Sequence, residues 1–134
     1  MKIYRKLLFI LGSILLLSLT SATLAKSSLS DPCNNLPGKW KGEWQQTKTG
    51  WRWNFLIDAT IGDRNAANLI VHYSRINFKN ESTSDDDTGT TFMTGYCRDG
   101  KLNLDFGGMK VTGNIISNFL TLEADWYKGV FNKQ

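Results

Sequence analysis

From Gly38 onward, hydrophobic residues recur at every second position, and short polar or glycine-containing breaks separate the runs. A period of two marks a strand with one buried face, whereas a helix would bring its apolar residues round every 3.6 positions. Trp40, Gly42 and Trp44 share one face opposite Lys39, Lys41 and Glu43. Trp51, Trp53, Phe55 and Ile57 then alternate with Arg52, Asn54 and Asp58, and Ala67, Leu69, Val71 and Tyr73 alternate with Asn68, Ile70, His72 and Ser74. Thr90, Phe92, Thr94 and Tyr96 oppose Thr91, Met93, Gly95 and Cys97. Three further runs follow: Leu102, Leu104 and Phe106; Met109, Val111, Gly113 and Ile115; and Leu120, Leu122, Ala124 and Trp126. In the last of these Ile115 with Phe119 and Ile116 with Leu120 also fit helical spacing, but Thr121 and the alternation from Leu120 favour a strand.

Segments 45–50, 62–65 and 98–100, Gly107 with Gly108, and Ser117 with Asn118 carry the residue types that turn a chain, and the polar stretch 79–88 reads as a surface loop. About seven runs can be counted, so the chain is predicted to be all-β, an antiparallel up-and-down meander of seven to eight strands. An open meander would leave a row of unpaired backbone groups at each edge. Pairing the first strand with the last removes both rows, which predicts closure into a small barrel. With about eight strands, the interior is either filled by side chains or just wide enough for one small ligand.

Ahead of these strands, Lys2, Arg5 and Lys6 precede a mostly apolar run at 7–19, and small and polar residues continue to Ala25. This is the pattern of a secretory signal peptide over 1–25, cut after Ala25 or, alternatively, after Ala22. The run falls short of the roughly 20 residues that cross a bilayer, so no retained membrane anchor is expected. Cys33 lacks the small-residue context of a lipid-modified cysteine. The expected product is exported, secreted or periplasmic, and is a single barrel domain over 26–134. Three of the 16 basic residues lie in the leader, so its removal takes the formal charge from +4 to +1. With so little net positive charge, and with its Lys and Arg scattered among acids, the domain lacks the counterion-release energy of a nucleic-acid binder. An oxidising compartment favours joining Cys33 to Cys97, the two cysteines of the chain. A redox-active pair would call for a short Cys-x-x-Cys spacing.

Residues 33–40, Cys-Asn-Asn-Leu-Pro-Gly-Lys-Trp, resemble the opening of calycin barrels, lipocalin-like or avidin-like, in which a Gly-x-Trp on the first strand closes one end. Avidins of the vertebrate type place a cysteine shortly before Leu-x-Gly-x-Trp and bridge it to a cysteine in a Thr-Gly-x-Cys strand that precedes an Asp/Asn-Gly turn. Thr94-Gly95-Tyr96-Cys97 and Asp99-Gly100-Lys101 are similar. The resemblance spans about twenty residues in two windows, and it implies a barrel with Trp40 as its end plug. The biotin site is not matched. Gly42 stands where avidins place the asparagine that binds the ureido group, and Arg75 stands two residues beyond Tyr73, where a small hydroxyl side chain is expected. Tyr73 to Cys97 is short for the strands avidins place there, and no tryptophan follows Cys97 on the next strand.

All five tryptophans fall outside the leader. Trp40 suits packing at the barrel end. Trp44, Trp51, Trp53, Tyr73, Phe92 and Trp126 are the candidate ligand-binding residues, because aromatic faces stack on sugars, heterocycles and acyl chains; each also suits core packing. His72 has no second histidine, and Asp85, Asp86 and Asp87 lack the glycine and bidentate glutamate of a calcium loop, so neither metal nor cofactor is expected. Asn80-Glu81-Ser82 has the spacing of a glycosylation acceptor. The nucleophile elbow, the zinc-protease motif and the phosphate-cradling glycine loop are all missing from the sequence. These features predict a non-enzymatic exported binding module whose Trp-rich barrel holds a small apolar or aromatic ligand. One alternative is a protein-binding module, such as an inhibitor of a secreted enzyme. Another is a glycoside-type hydrolase, if two of Glu43, Asp58, Asp105, Glu123 and Asp125 converge.

Overall fold

The computed structural model describes residues 30–76 and 83–134, with side chains from Thr88 onward in the second stretch. The expected leader, the glycosylation acceptor at Asn80 and the side chains of Asp85, Asp86 and Asp87 lie outside the described residues. The chain divides into Met1–Ser30 and Asp31–Gln134, and the second unit carries the strands. They are β1 (Gly38–Gln46), β2 (Arg52–Ile61), β3 (Ala66–Ile76), β4 (Thr83–Arg98), β5 (Lys101–Phe106), β6 (Met109–Ile116), β7 (Phe119–Ala124) and β8 (Tyr127–Lys133). Each pairs antiparallel with the next, and β1 pairs with β8 from Trp40↔Lys133 to Gln46↔Tyr127, so the meander closes into a barrel. The all-β expectation holds, and the architecture is compatible with a small calycin-like barrel.

Two details differ from the sequence reading. The run ending at Trp126 is two elements: β7 stops at Ala124, Asp125 and Trp126 make a turn, and β8 begins at Tyr127 with a new alternation of Tyr127, Gly129 and Phe131. The segment read as a loop over 79–88 is strand from Thr83, where backbone pairing to the 11-residue β3 overrides a polar composition. A register shift between Ser74 and Ile76 marks where the ladder accommodates the extra residues. The β4–β5, β5–β6, β6–β7 and β7–β8 connections are two-residue turns. Asp99 (φ 53°) with Gly100 (φ 77°) and Gly107 (φ 57°) with Gly108 (φ 91°) take the paired left-handed conformations of two-residue hairpins, whose twist matches that of the flanking strands.

Inward-facing side chains fill most of the barrel. Trp40, Ile57, Leu69, Val71, Met93, Leu102, Val111, Leu120, Leu122 and Phe131 are all buried, each contributing about 1.5–3 kcal/mol of hydrophobic stabilisation. One end is capped by a turn of 3-10 helix, Pro32–Asn35. Asp31 starts it by accepting from the Cys33 backbone N–H at 2.8 Å. The Trp40 indole N–H donates to the Leu36 carbonyl at 2.8 Å, which satisfies the polar atom of a fully buried ring. Lys133 Nζ donates to the Asn35 carbonyl (2.6 Å) and to Asn35 Oδ1 (3.0 Å), and Asn35 Nδ2 donates to the Ser117 carbonyl. The Cys33–Cys97 disulfide, with Cα atoms 5.8 Å apart, covalently ties the cap to β4.

Candidate ligand-binding site

The cap sits among the Asp99-Gly100 and Ser117-Asn118 turns. At the other end of the strands, next to the β1–β2, β5–β6 and β7–β8 turns, the packed interior opens into a cavity of about 260 Å³. β1 contributes Trp44, β2 contributes Trp53 and Phe55, and β3 contributes Tyr73. Thr91 of β4 faces them, Phe106 and Met109 flank the β5–β6 turn, and Tyr127 opens β8. Six of these eight residues are aromatic and none carries a charge.

The rings share an orientation. Trp44, only 3% exposed, lies nearly parallel to Tyr127 (centroids 5.5 Å apart, planes 9° apart), to Phe55 (5.7 Å, 17°) and to Phe106 (6.5 Å, 18°). Phe55 in turn stacks on Phe131 at 5.9 Å, which couples the site to the core below. Trp53 tilts at 42° against Tyr127. Polar groups are few. The Tyr127 hydroxyl accepts from Gln46 Nε2 at 3.1 Å. The Tyr73 ring lies against Gly89, where any Cβ would fall 2.6 Å from the phenol oxygen.

Of the residues singled out from the sequence, Trp44, Trp53 and Tyr73 meet in this cavity. Trp51 does not line it: it is 41% exposed, packed edge-on against Trp53 at 6.4 Å, with Arg75 Cζ 4.1 Å from its ring centroid. Phe92 is 61% exposed on the outer surface. Cys97 must point inward to reach Cys33, so Gly95, Met93 and Thr91 share its face and Phe92 takes the other. Trp126 is 50% exposed in the β7–β8 turn, with Lys48 Nζ 3.4 Å from its ring centroid. Phe55, Thr91, Phe106, Met109 and Tyr127 were not among the candidates. Phe55 follows Trp53 at the strand period, and Phe106 and Met109 flank a Gly-Gly turn, so a signal for these three was present.

No family model and no curated protein matches the chain. The geometry accounts for the glycine at position 42. A Cβ at Gly42 would lie 2.1 Å from the Val130 carbonyl oxygen and 2.8 Å from Phe131 Cδ1, so no side chain fits at that position, polar or otherwise. The carboxylates considered for hydrolysis lie elsewhere: Glu43, Asp105, Glu123 and Asp125 are exposed and none lines the cavity. Asp58 Oδ2 is 3.4 Å from His72 Nε2, and His72 Nδ1 is 3.1 Å from Thr90 Oγ1, on the outer surface of β2, β3 and β4. Among the described residues no three His, Cys, Asp or Glu side chains gather as a metal site would require.

Proposed function

We propose that the barrel is an exported binding module whose end beside the β1–β2, β5–β6 and β7–β8 turns holds one small planar apolar or aromatic molecule. The observation that carries this reading is the cavity of about 260 Å³ with uncharged, mainly aromatic walls. A dry cavity of roughly 150 Å³ holds benzene, so this one suits one or two fused rings. Mostly apolar walls with a few hydroxyls are the ordinary character of a small-molecule site. The near-parallel planes of Trp44, Phe55, Phe106 and Tyr127 favour a flat guest aligned with them over a globular aliphatic one. Burying about 200–250 Å² of such a guest supplies about 5–6 kcal/mol, a Kd between roughly 30 µM and 300 µM.

The test is titration followed by tryptophan emission, with naphthalene derivatives, fatty acids, sugars, haem and biotin as probes. Saturable quenching by the one- and two-ring aromatics is expected, together with its loss in Thr91→Trp, which fills the cavity from β4 and is checked for an unchanged far-ultraviolet spectrum. Quenching that persists unchanged in the filled variant, or no response to any aromatic probe, overturns the reading.

A further inference from the structure

Among the described residues, the charges at the cavity's end of the strands largely cancel one another. Glu43 Oε2 lies 3.5 Å from Arg52 Nη1, and Asp105 with Lys110 and Glu123 with Lys128 are direct cross-strand partners of opposite sign. Asp125, Lys48 and Arg75 remain: Lys48 Nζ lies 3.4 Å from the Trp126 ring centroid, Arg75 Cζ lies 4.1 Å from that of Trp51, and none of the three lines the cavity. An ionised guest of either sign would give up its water for walls that return no countercharge.

The wall still carries polar atoms, and they are gathered on one side. Thr91 lies on the inner face of β4. Tyr73 of β3 reaches over the same strand, because a Cβ at Gly89, two residues from Thr91 on that face, would fall 2.6 Å from the Tyr73 hydroxyl oxygen. Among the described residues neither hydroxyl is hydrogen-bonded to another protein group. A hydroxyl donates one hydrogen bond and accepts up to two, so the pair serves a neutral donor or acceptor. The β1 and β8 side of the cavity is ring instead, Trp44 stacked with Tyr127 at 5.5 Å.

We infer that the guest is an uncharged aromatic molecule with a hydroxyl or carbonyl group on one edge, its ring beside Trp44 and Tyr127 and its polar group at Thr91 and Tyr73. This rests on the cavity reading above and specifies the ligand class. Equilibrium dialysis at neutral pH compares 2-naphthol with 2-methylnaphthalene, which has nearly the same shape, and with the ions 2-naphthoate and 2-naphthylmethylammonium. Wild-type protein is expected to bind 2-naphthol about tenfold or more tighter than either ion. Thr91→Val and Tyr73→Phe each remove one hydroxyl and nearly keep the shape of the wall. The naphthol-to-methylnaphthalene affinity ratio should fall about fivefold in at least one of them, the worth of one neutral hydrogen bond. Methylnaphthalene, held by apolar contact alone, reports in each variant that the cavity is intact. An ion that binds as tightly as 2-naphthol, or a ratio within about twofold of wild type in both variants, overturns this inference and leaves the cavity reading standing. If no probe binds, the cavity reading fails first and this inference with it.

Discussion

Gly42 lies on the seam where the meander closes, opposite Phe131, and replacing it with alanine tests that closure directly. The new Cβ would fall 2.1 Å from the Val130 carbonyl oxygen, 2.8 Å from Phe131 Cδ1 and 2.9 Å from Phe131 Cα. Two of these three atoms belong to backbone, which rotamer changes cannot move. Restoring ordinary contact requires β1 and β8 to separate by roughly 1 Å, which stretches ladder hydrogen bonds of about 2.9 Å beyond useful length. Losing two such bonds at about 1 kcal/mol each, plus the 1–3 kcal/mol typical of overpacking, gives a cost of about 3–5 kcal/mol. That is a large fraction of the 5–15 kcal/mol that holds a typical domain together. Gly62 supplies the control. It has a negative φ of −105° and its nearest neighbour to a Cβ is 4.0 Å away, so Gly62→Ala should be neutral or stabilise by up to about 1 kcal/mol through the unfolded chain. Urea unfolding followed by tryptophan emission measures both. A Gly42→Ala protein within 0.5 kcal/mol of wild type would refute the pairing of β1 with β8 in this register.

Two further predictions concern the capped end. Replacing Cys33 and Cys97 together with serine releases a cross-link spanning 64 residues, and the chain-entropy relation predicts a loss of about 4 kcal/mol in denaturant unfolding; a loss under 1 kcal/mol would mean the cap is held by its other contacts. Trp40→Phe removes the donor from the buried Leu36 carbonyl as well as part of a fully buried ring, and should cost about 2–4 kcal/mol by the same assay, whereas an unchanged midpoint would deny that bond a role.

The strand faces were legible in the sequence wherever one parity carried more of the large apolar residues than the other. Trp40 and Trp44, Trp53, Phe55 and Ile57, and Ala67, Leu69, Val71 and Tyr73 all point inward, opposite a parity that mixes polar residues with the lone apolar residues Leu56 and Ile70. β4 defeated that rule, since Phe92 and Tyr96 are larger than Met93 and Gly95 yet face out. Side-chain size is a weaker constraint on facing than a covalent bond. The parity of Cys97 contained the answer, had it been propagated back along the strand. At Trp126 counting by twos failed for another reason: Asp-Trp is not a strong turn signal, and the odd spacing from Ala124 to Tyr127 was the only trace of the break. The cavity was legible in part. Trp44, Trp53 and Tyr73 follow from periodicity, while bringing Phe106, Met109 and Tyr127 beside them depends on which strand ends the closure gathers, a property of register that no local pattern carries.

The sulfur bridge, the indole of Trp40 and the Lys133 clamp converge at one end of the molecule, and the described cavity opens at the other. On the reading proposed above, an occupant's stay would depend on side chains such as Trp53 and Tyr127 that line the cavity, whereas the lifetime of the folded body depends on groups at the far end of the cylinder. Residence time and durability thus run on separate clocks, and mutation can reset one without touching the other.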